Sequence, residues 1–178
     1  MTKNEIKKHK IKYLDTSKNT QTFLLMNTPD LLKVAEIEIT YKNHPDLLQR
    51  PKVESAKDVA NIIRDVEAMQ KNIDYKELFY AIYLNQNGRV LSVGKVSEGT
   101  AKYCLINTRQ ILQGALLQNS TGLIICHNHP SGSAAPSPED VEATQRIKNA
   151  AMLLDIKLID SIILTSYGHY SFADDGLI

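Results

Sequence analysis

The chain is 178 residues long, 43% hydrophobic, 23% charged and 6% aromatic, the composition of one soluble globular domain rather than of a disordered or fibrous chain. Twenty-one Lys plus Arg against twenty Asp plus Glu leave a net charge of +1, which excludes a surface built throughout to neutralise phosphates. Two cysteines, Cys104 and Cys126, are too few for a disulfide-stapled scaffold and form no CxxC pair.

The opening stretch MTKNEIKKHKIKYLD lacks an apolar h-region, and no run approaches the roughly 18 apolar residues of a membrane span. Neither a secretory signal nor a transmembrane helix is expected, and a cytoplasmic location is the default. Residues 1–20 carry six lysines against Glu5 and Asp15, a local +4 that leaves −3 for the remainder. This arm reads either as a solvated tail or as a contact for nucleic acid or an acidic partner.

Phe23 to Met26 is a short apolar run, and Ala35 to Tyr41 alternates with period two, predicting a half-buried strand whose partner the sequence does not identify. Lys42 to Lys52, with Pro45 and Pro51, reads as a connector. The domain boundary is therefore placed with 1–50 as a basic N-terminal arm and short extension, and 51–178 as the main domain.

Ser55-Ala56-Lys57-Asp58 opens a helix as a capping box, with Val59, Ile62, Ile63 and Val66 on one apolar face. Leu78 to Leu84, the turn signal Asn85 to Gly88, and Val90 to Val96 predict a β-hairpin. Thr108 to Gln118 has helical spacing despite Gly114. Leu123 to Cys126 has the character of a strand buried on both faces, as in the middle of a layered α/β sheet. A loop from Pro130 to Pro136 follows. Ser137-Pro138-Glu139-Asp140 then starts a helix expected to turn Val141, Ile147, Ala151 and Leu154 inward. Lys157 to Leu164 is an apolar strand, and Tyr167-Gly168 precedes a final strand with Tyr170 and Phe172.

His127-Asn128-His129 ends the buried strand. Residues i and i+2 of an extended backbone point to one side, so both imidazoles can reach a single ion. The full string is His-x-His-x7-Ser-x2-Asp, ending at Ser137 and Asp140. Two imidazole nitrogens and a carboxylate suit a catalytic zinc, because three protein ligands leave a fourth position open. Two plainer readings stand beside this one: the histidines as partly buried strand-end residues, and Ser137 with Asp140 as a helix cap. Capping and ligation are compatible in one residue. A chain of this size buries roughly 70% of its unfolded surface and needs no metal to form a core. Chemistry is then the expected reason for such a site.

The run Leu123 to Asp140, LIICHNHPSGSAAPSPED, resembles the JAMM (MPN-plus) metalloprotease motif, and more closely its bacterial RadC-type branch. The resemblance takes in Glu77-Leu78-Phe79, Leu84-Asn85, Gly99-Thr100, Leu158 to Leu164 and Ser171-Phe172-Ala173, about residues 55 to 178. It implies a layered α/β/α fold with a mixed sheet related to cytidine deaminases. It also implies Zn2+ held by His127, His129 and Asp140, and an acid on an early strand that activates water. Glu77 fits that role, with Glu98 as the competing acid, while Glu54, Glu67 and Glu139 read as solvated charges. Ser137 is implied as the donor to an oxyanion.

The implied activity is hydrolysis of a peptide or isopeptide bond in a protein or peptide substrate, in a DNA-repair or mobile-element setting. The alternative is a non-catalytic, metal-stabilised binding module of DNA repair, touching nucleic acid through the basic arm. A nucleobase deaminase is disfavoured, because it requires His-x-Glu and a later Pro-Cys-x-x-Cys. The chain departs from the family in carrying Ser161 where a histidine commonly follows the aspartate. Cys126, beside His127, is expected to face the opposite side as core packing.

Overall fold

The computed structural model describes residues 20–23, 37–40, 49–99 and 106–178. The chain divides into two compact units, Met1–Pro45 and Asp46–Ile178. In the first, β1 (Thr20–Phe23) pairs antiparallel with β2 (Ile37–Thr40), Thr20 opposite Thr40 and Phe23 opposite Ile37. This pairing supplies the partner that the period-two stretch lacked in the sequence. The basic arm, Leu24 to Met26, the edges of the expected strand and the first part of the connector lie outside the described residues.

The second unit runs α1 (Ala56–Arg64), α2 (Glu67–Asn72), β3 (Leu78–Leu84), β4 (Val90–Glu98), α3 (Thr108–Leu117), β5 (Gly122–Asn128), α4 (Pro138–Met152), β6 (Lys157–Leu164) and β7 (His169–Ser171). The end of the expected connector and the residue after it join the hairpin: Val90 N–H donates to Pro51 O and Val53 N–H to Gly88 O, each at 2.9 Å. The five strands are ordered β4-β3-β5-β6-β7. β3 is antiparallel to both β4 and β5, β5 and β6 are parallel across the α4 crossover, and β6 and β7 are antiparallel. The sheet is therefore mixed, as expected.

Alternation along the strands sorts the core into two layers. Leu78, Tyr80, Ile82, Leu84, Ile124 and Cys126 pack against Val59, Ala60 and Ile63 of α1 and Met69 of α2. Phe79, Ala81, Tyr83, Leu123 and Ile125 pack against Ile111, Leu112 and Ala115 of α3 and Ile147 and Ala151 of α4. β3 and β5 are buried at every position, because helices cover both faces of the sheet. The architecture is α/β/α.

A Cβ at Gly114 would lie 2.3 Å from the Tyr83 hydroxyl, so the glycine within α3 answers a close approach. α4 differs from its expected phase. Asp140, Ala143, Thr144, Ile147 and Ala151 form its buried face, whereas Val141 is 43% exposed. Asp140 takes the inward position of the first turn, and residue 141 sits about 100° further round. Leu154, 40% exposed, lies beyond the helix end at Met152, where the chain turns through Asp155 at φ 55°.

Candidate metal centre

β5 delivers both histidines. Its alternation sets His127 on the α3/α4 side with Leu123 and Ile125. His129 follows just past the strand, where its N–H donates to Leu164 O at 2.9 Å. The two Nε2 atoms stand 3.0 Å apart. His127 is 2% exposed and stacks on Phe79, centroids 5.8 Å apart and planes within 9°, so β3 fixes the orientation of its ring. His129 Nδ1 lies 2.8 Å from the carbonyl oxygen of Ser133. A carbonyl only accepts, so Nδ1 carries a proton; Nε2 then donates to Asp140 when the ring is charged and presents a lone pair when it is neutral.

α4 delivers the carboxylate. Ser137 is its N-cap, Pro138 begins the first turn, and Asp140 closes the capping box. Asp140 Oδ2 accepts from Ser137 N–H at 2.8 Å and from Ser137 Oγ–H at 2.6 Å, while Ser137 Oγ accepts from Asp140 N–H at 3.1 Å. Asp140 Oδ1 lies 3.1 Å from His127 Nε2, and Oδ2 lies 3.4 Å from His129 Nε2. Burial alone would raise the Asp140 carboxyl, but hydrogen bonds from His127, His129 and Ser137 outweigh it and hold the group well below the usual carboxylate range. The same Asp140 contact raises His129, against a smaller opposing effect of burial.

Two imidazole nitrogens and a carboxylate thus converge within 4.8 Å of one another, a set that repels itself unless a proton or a cation lies among them. Ligands about 2.0–2.1 Å from a tetrahedral ion are roughly 3.3 Å from each other. The separations of 3.0, 3.1 and 3.4 Å are close to that. The residues present fit a metal ion.

Glu77 immediately precedes β3. Phe79 pairs with His127, and Glu77, two residues earlier, falls on the same face by strand alternation, within electrostatic reach of His127, Asp140 and His129. Burial pushes its carboxyl above the usual range, the two histidines pull it partly back, and Asp140 adds to the rise. Glu98 belongs elsewhere. It pairs with Leu78, whose side chain packs on the α1/α2 side, and so projects from the opposite face. There it binds Lys76 and, at 2.8 Å, Lys95, which together hold its carboxyl down to about 2. Glu54 and Glu67 are ion-paired with Lys52 and Lys71, and Glu139 is exposed.

Ser137 stands beside the cluster with its hydroxyl proton committed to Asp140. Cys126 is fully buried on the α1/α2 side, where desolvation pushes its thiol up. Ser161 lies opposite Ile125 and accepts from Thr144 Oγ1 at 3.0 Å, so it links α4 to β6. Sequence reasoning missed the Phe79 stack, which the even spacing from Glu77 could have suggested. It also missed the Ser133 contact, which had no signal because the acceptor is backbone.

These features define a three-layer α/β domain with a His-x-His and aspartate cluster at the carboxyl end of its central strand. The profile of the RadC-like JAB domain matches residues 53–177, and the chain belongs to that family. The chain is 31% identical over 177 residues to a UPF0758 protein of Flavobacterium johnsoniae, covering 92% of this chain and 76% of the relative. It is 41% identical over 102 residues to a UPF0758 protein of Desulforudis audaxviator (57% and 44% covered), and 34% over 131 residues to one of Porphyromonas gingivalis (73% and 57%). The chain spans about half the length of the latter two. Among the described residues, no helix is long and apolar enough to cross a membrane.

Proposed function

We propose that this domain is a zinc-dependent hydrolase that cleaves a peptide or isopeptide bond in a protein or peptide substrate. The observation that supports this most is the juxtaposition of a closed set of metal-ligating atoms with a carboxyl group, Glu77, whose proton affinity burial has raised. Zinc held by His127, His129 and Asp140 would supply Lewis acidity and a water of lowered pKa.

Glu77 accepts the proton of the attacking water and returns it to the departing amine, for which a carboxyl with raised proton affinity is suited. Phe79 and the Ser133 carbonyl keep the two imidazoles from turning away. Ser137 donates to the developing oxyanion, a contribution of about 3 kcal/mol for a single donor. To do so, its hydroxyl must rotate away from Asp140 Oδ2.

The test is Glu77→Gln. The variant is expected to retain a stoichiometric amount of zinc and to leave intact the cellular proteins that the wild type cleaves. Cleavage that continues unchanged would remove Glu77 from the mechanism. A wild-type protein purified without zinc, with no change in metal content on His127→Ala, would remove the metal site.

A further inference from the structure

Asn128 stands between the two histidines, and its fully buried side chain leaves the sheet on the other face. Oδ1 accepts from Leu78 N–H at 2.8 Å. Nδ2 donates to Ile73 O at 2.8 Å and to Lys76 O at 2.9 Å. One acceptor and both donors of this amide thus go to residues 73–78, the turn that carries the chain from α2 into β3. Glu77 is enclosed by these contacts, with a held carbonyl before it and a held N–H after it. The described hydrogen bond of its own backbone is from Gly99 N–H to Glu77 O at 2.9 Å, on the β4 side. On the β5 side, the ladder at Leu78 is completed by the Asn128 side chain.

We propose that Asn128 is a positioning residue that fixes Glu77 against the metal-ligand cluster, and that it does so from the same strand that carries both histidines. The inference rests on the reading of Glu77 as the proton carrier. The chemistry selects an amide. Aspartate has the same shape but would set a carboxylate oxygen against two carbonyls, alanine removes the partner of one buried N–H and two partly buried carbonyls, and serine is too short to span all three. Because Asn128 and the ligands share one strand, a displacement of β5 would carry the ligands and the acid together.

The test uses cobalt(II) as a spectroscopic probe in the wild type, Glu77→Gln, Asn128→Asp, Asn128→Ala and Asn128→Ser. Cobalt stoichiometry and the visible d–d absorption are read on each. Glu77→Gln is expected to retain cobalt and to shift the spectrum, because the group facing the open position changes. The Asn128 variants are expected to keep cobalt and to lose the wild-type spectrum as well. Asn128 variants with the wild-type spectrum beside a shifted Glu77→Gln would overturn the positioning role alone. An unshifted Glu77→Gln spectrum would overturn the Glu77 reading and the proposal with it. If no Asn128 variant folds, hydrogen exchange in the wild type decides. Slow exchange of both Nδ2 protons and of Leu78 N–H is expected, and rapid exchange overturns the clamp.

Discussion

Two helices of this protein begin with the same device. At α1, Asp58 Oδ2 accepts from Ser55 N–H and Ser55 Oγ–H, each at 2.9 Å, and Ser55 Oγ accepts from Asp58 N–H at 3.3 Å. At α4, Asp140 Oδ2 makes the same contacts with Ser137. The difference lies in what else the carboxylate meets. Asp58 is only partly buried and its Oδ2 also accepts from Glu54 N–H, whereas Asp140 is buried against two imidazoles at the end of β5. A capping box therefore presents an oriented carboxylate wherever it occurs. It becomes part of a cluster that could hold a metal only where the sheet brings imidazoles to it.

Breaking each box in turn separates the two roles. Asp140→Ala should lower zinc affinity by more than about 100-fold, since even residues behind metal ligands typically account for about 10–100-fold. Asp58→Ala should leave zinc content unchanged, with plasma emission spectrometry as the readout for both. Ser137→Ala is expected to lower zinc affinity by about 10–100-fold and stability by about 1 kcal/mol, because Ser137 both caps the helix and holds the Asp140 carboxylate. Ser55→Ala should cost about 1 kcal/mol in chemical denaturation and nothing in metal binding. Equal metal loss in both serine variants would end the distinction between the boxes.

The smallest effect is on pH dependence. Hydrogen bonds from Glu54 and Ser55 hold the Asp58 carboxyl below its ordinary value. A carboxyl lowered by folding stabilises the protein above its unfolded pKa of about 3.9, and that contribution is lost as pH falls through the folded value. Asp58→Asn should therefore make the decline of melting temperature below about pH 4 shallower than in the wild type. An unchanged slope would show that the box at α1 contributes nothing through charge.

The helix starts at Ser55 and Ser137, the hairpin around Asn85 to Gly88 and the buried character of β5 were all legible, because each depends on a few consecutive residues. The inward face of α4 was misread at Val141 because apolar periodicity gives no weight to a buried aspartate. Asp140 occupies an inward position for electrostatic reasons, and the apolar count assigned that place to its neighbour. The sequence also left Glu77 and Glu98 in competition, both near the ends of β strands. Register settles their placement: the pairing of Phe79 with His127 aligns Glu77 with the cluster, and the pairing of Leu78 with Glu98 turns Glu98 to the far face.

The sequence by itself determined the local devices: two capped helices, two imidazoles two residues apart on an extended strand, and a chain long enough to fold without a metal. These follow from backbone hydrogen bonding and side-chain period, which act over a few residues. Only the tertiary structure decided how closely Asp140 meets the imidazoles, on which face each acid lies, and that Asn128 spans to the turn before β3. Those choices depend on strand order and register, set by burial of both sheet faces under four helices, and no short window of sequence contains them.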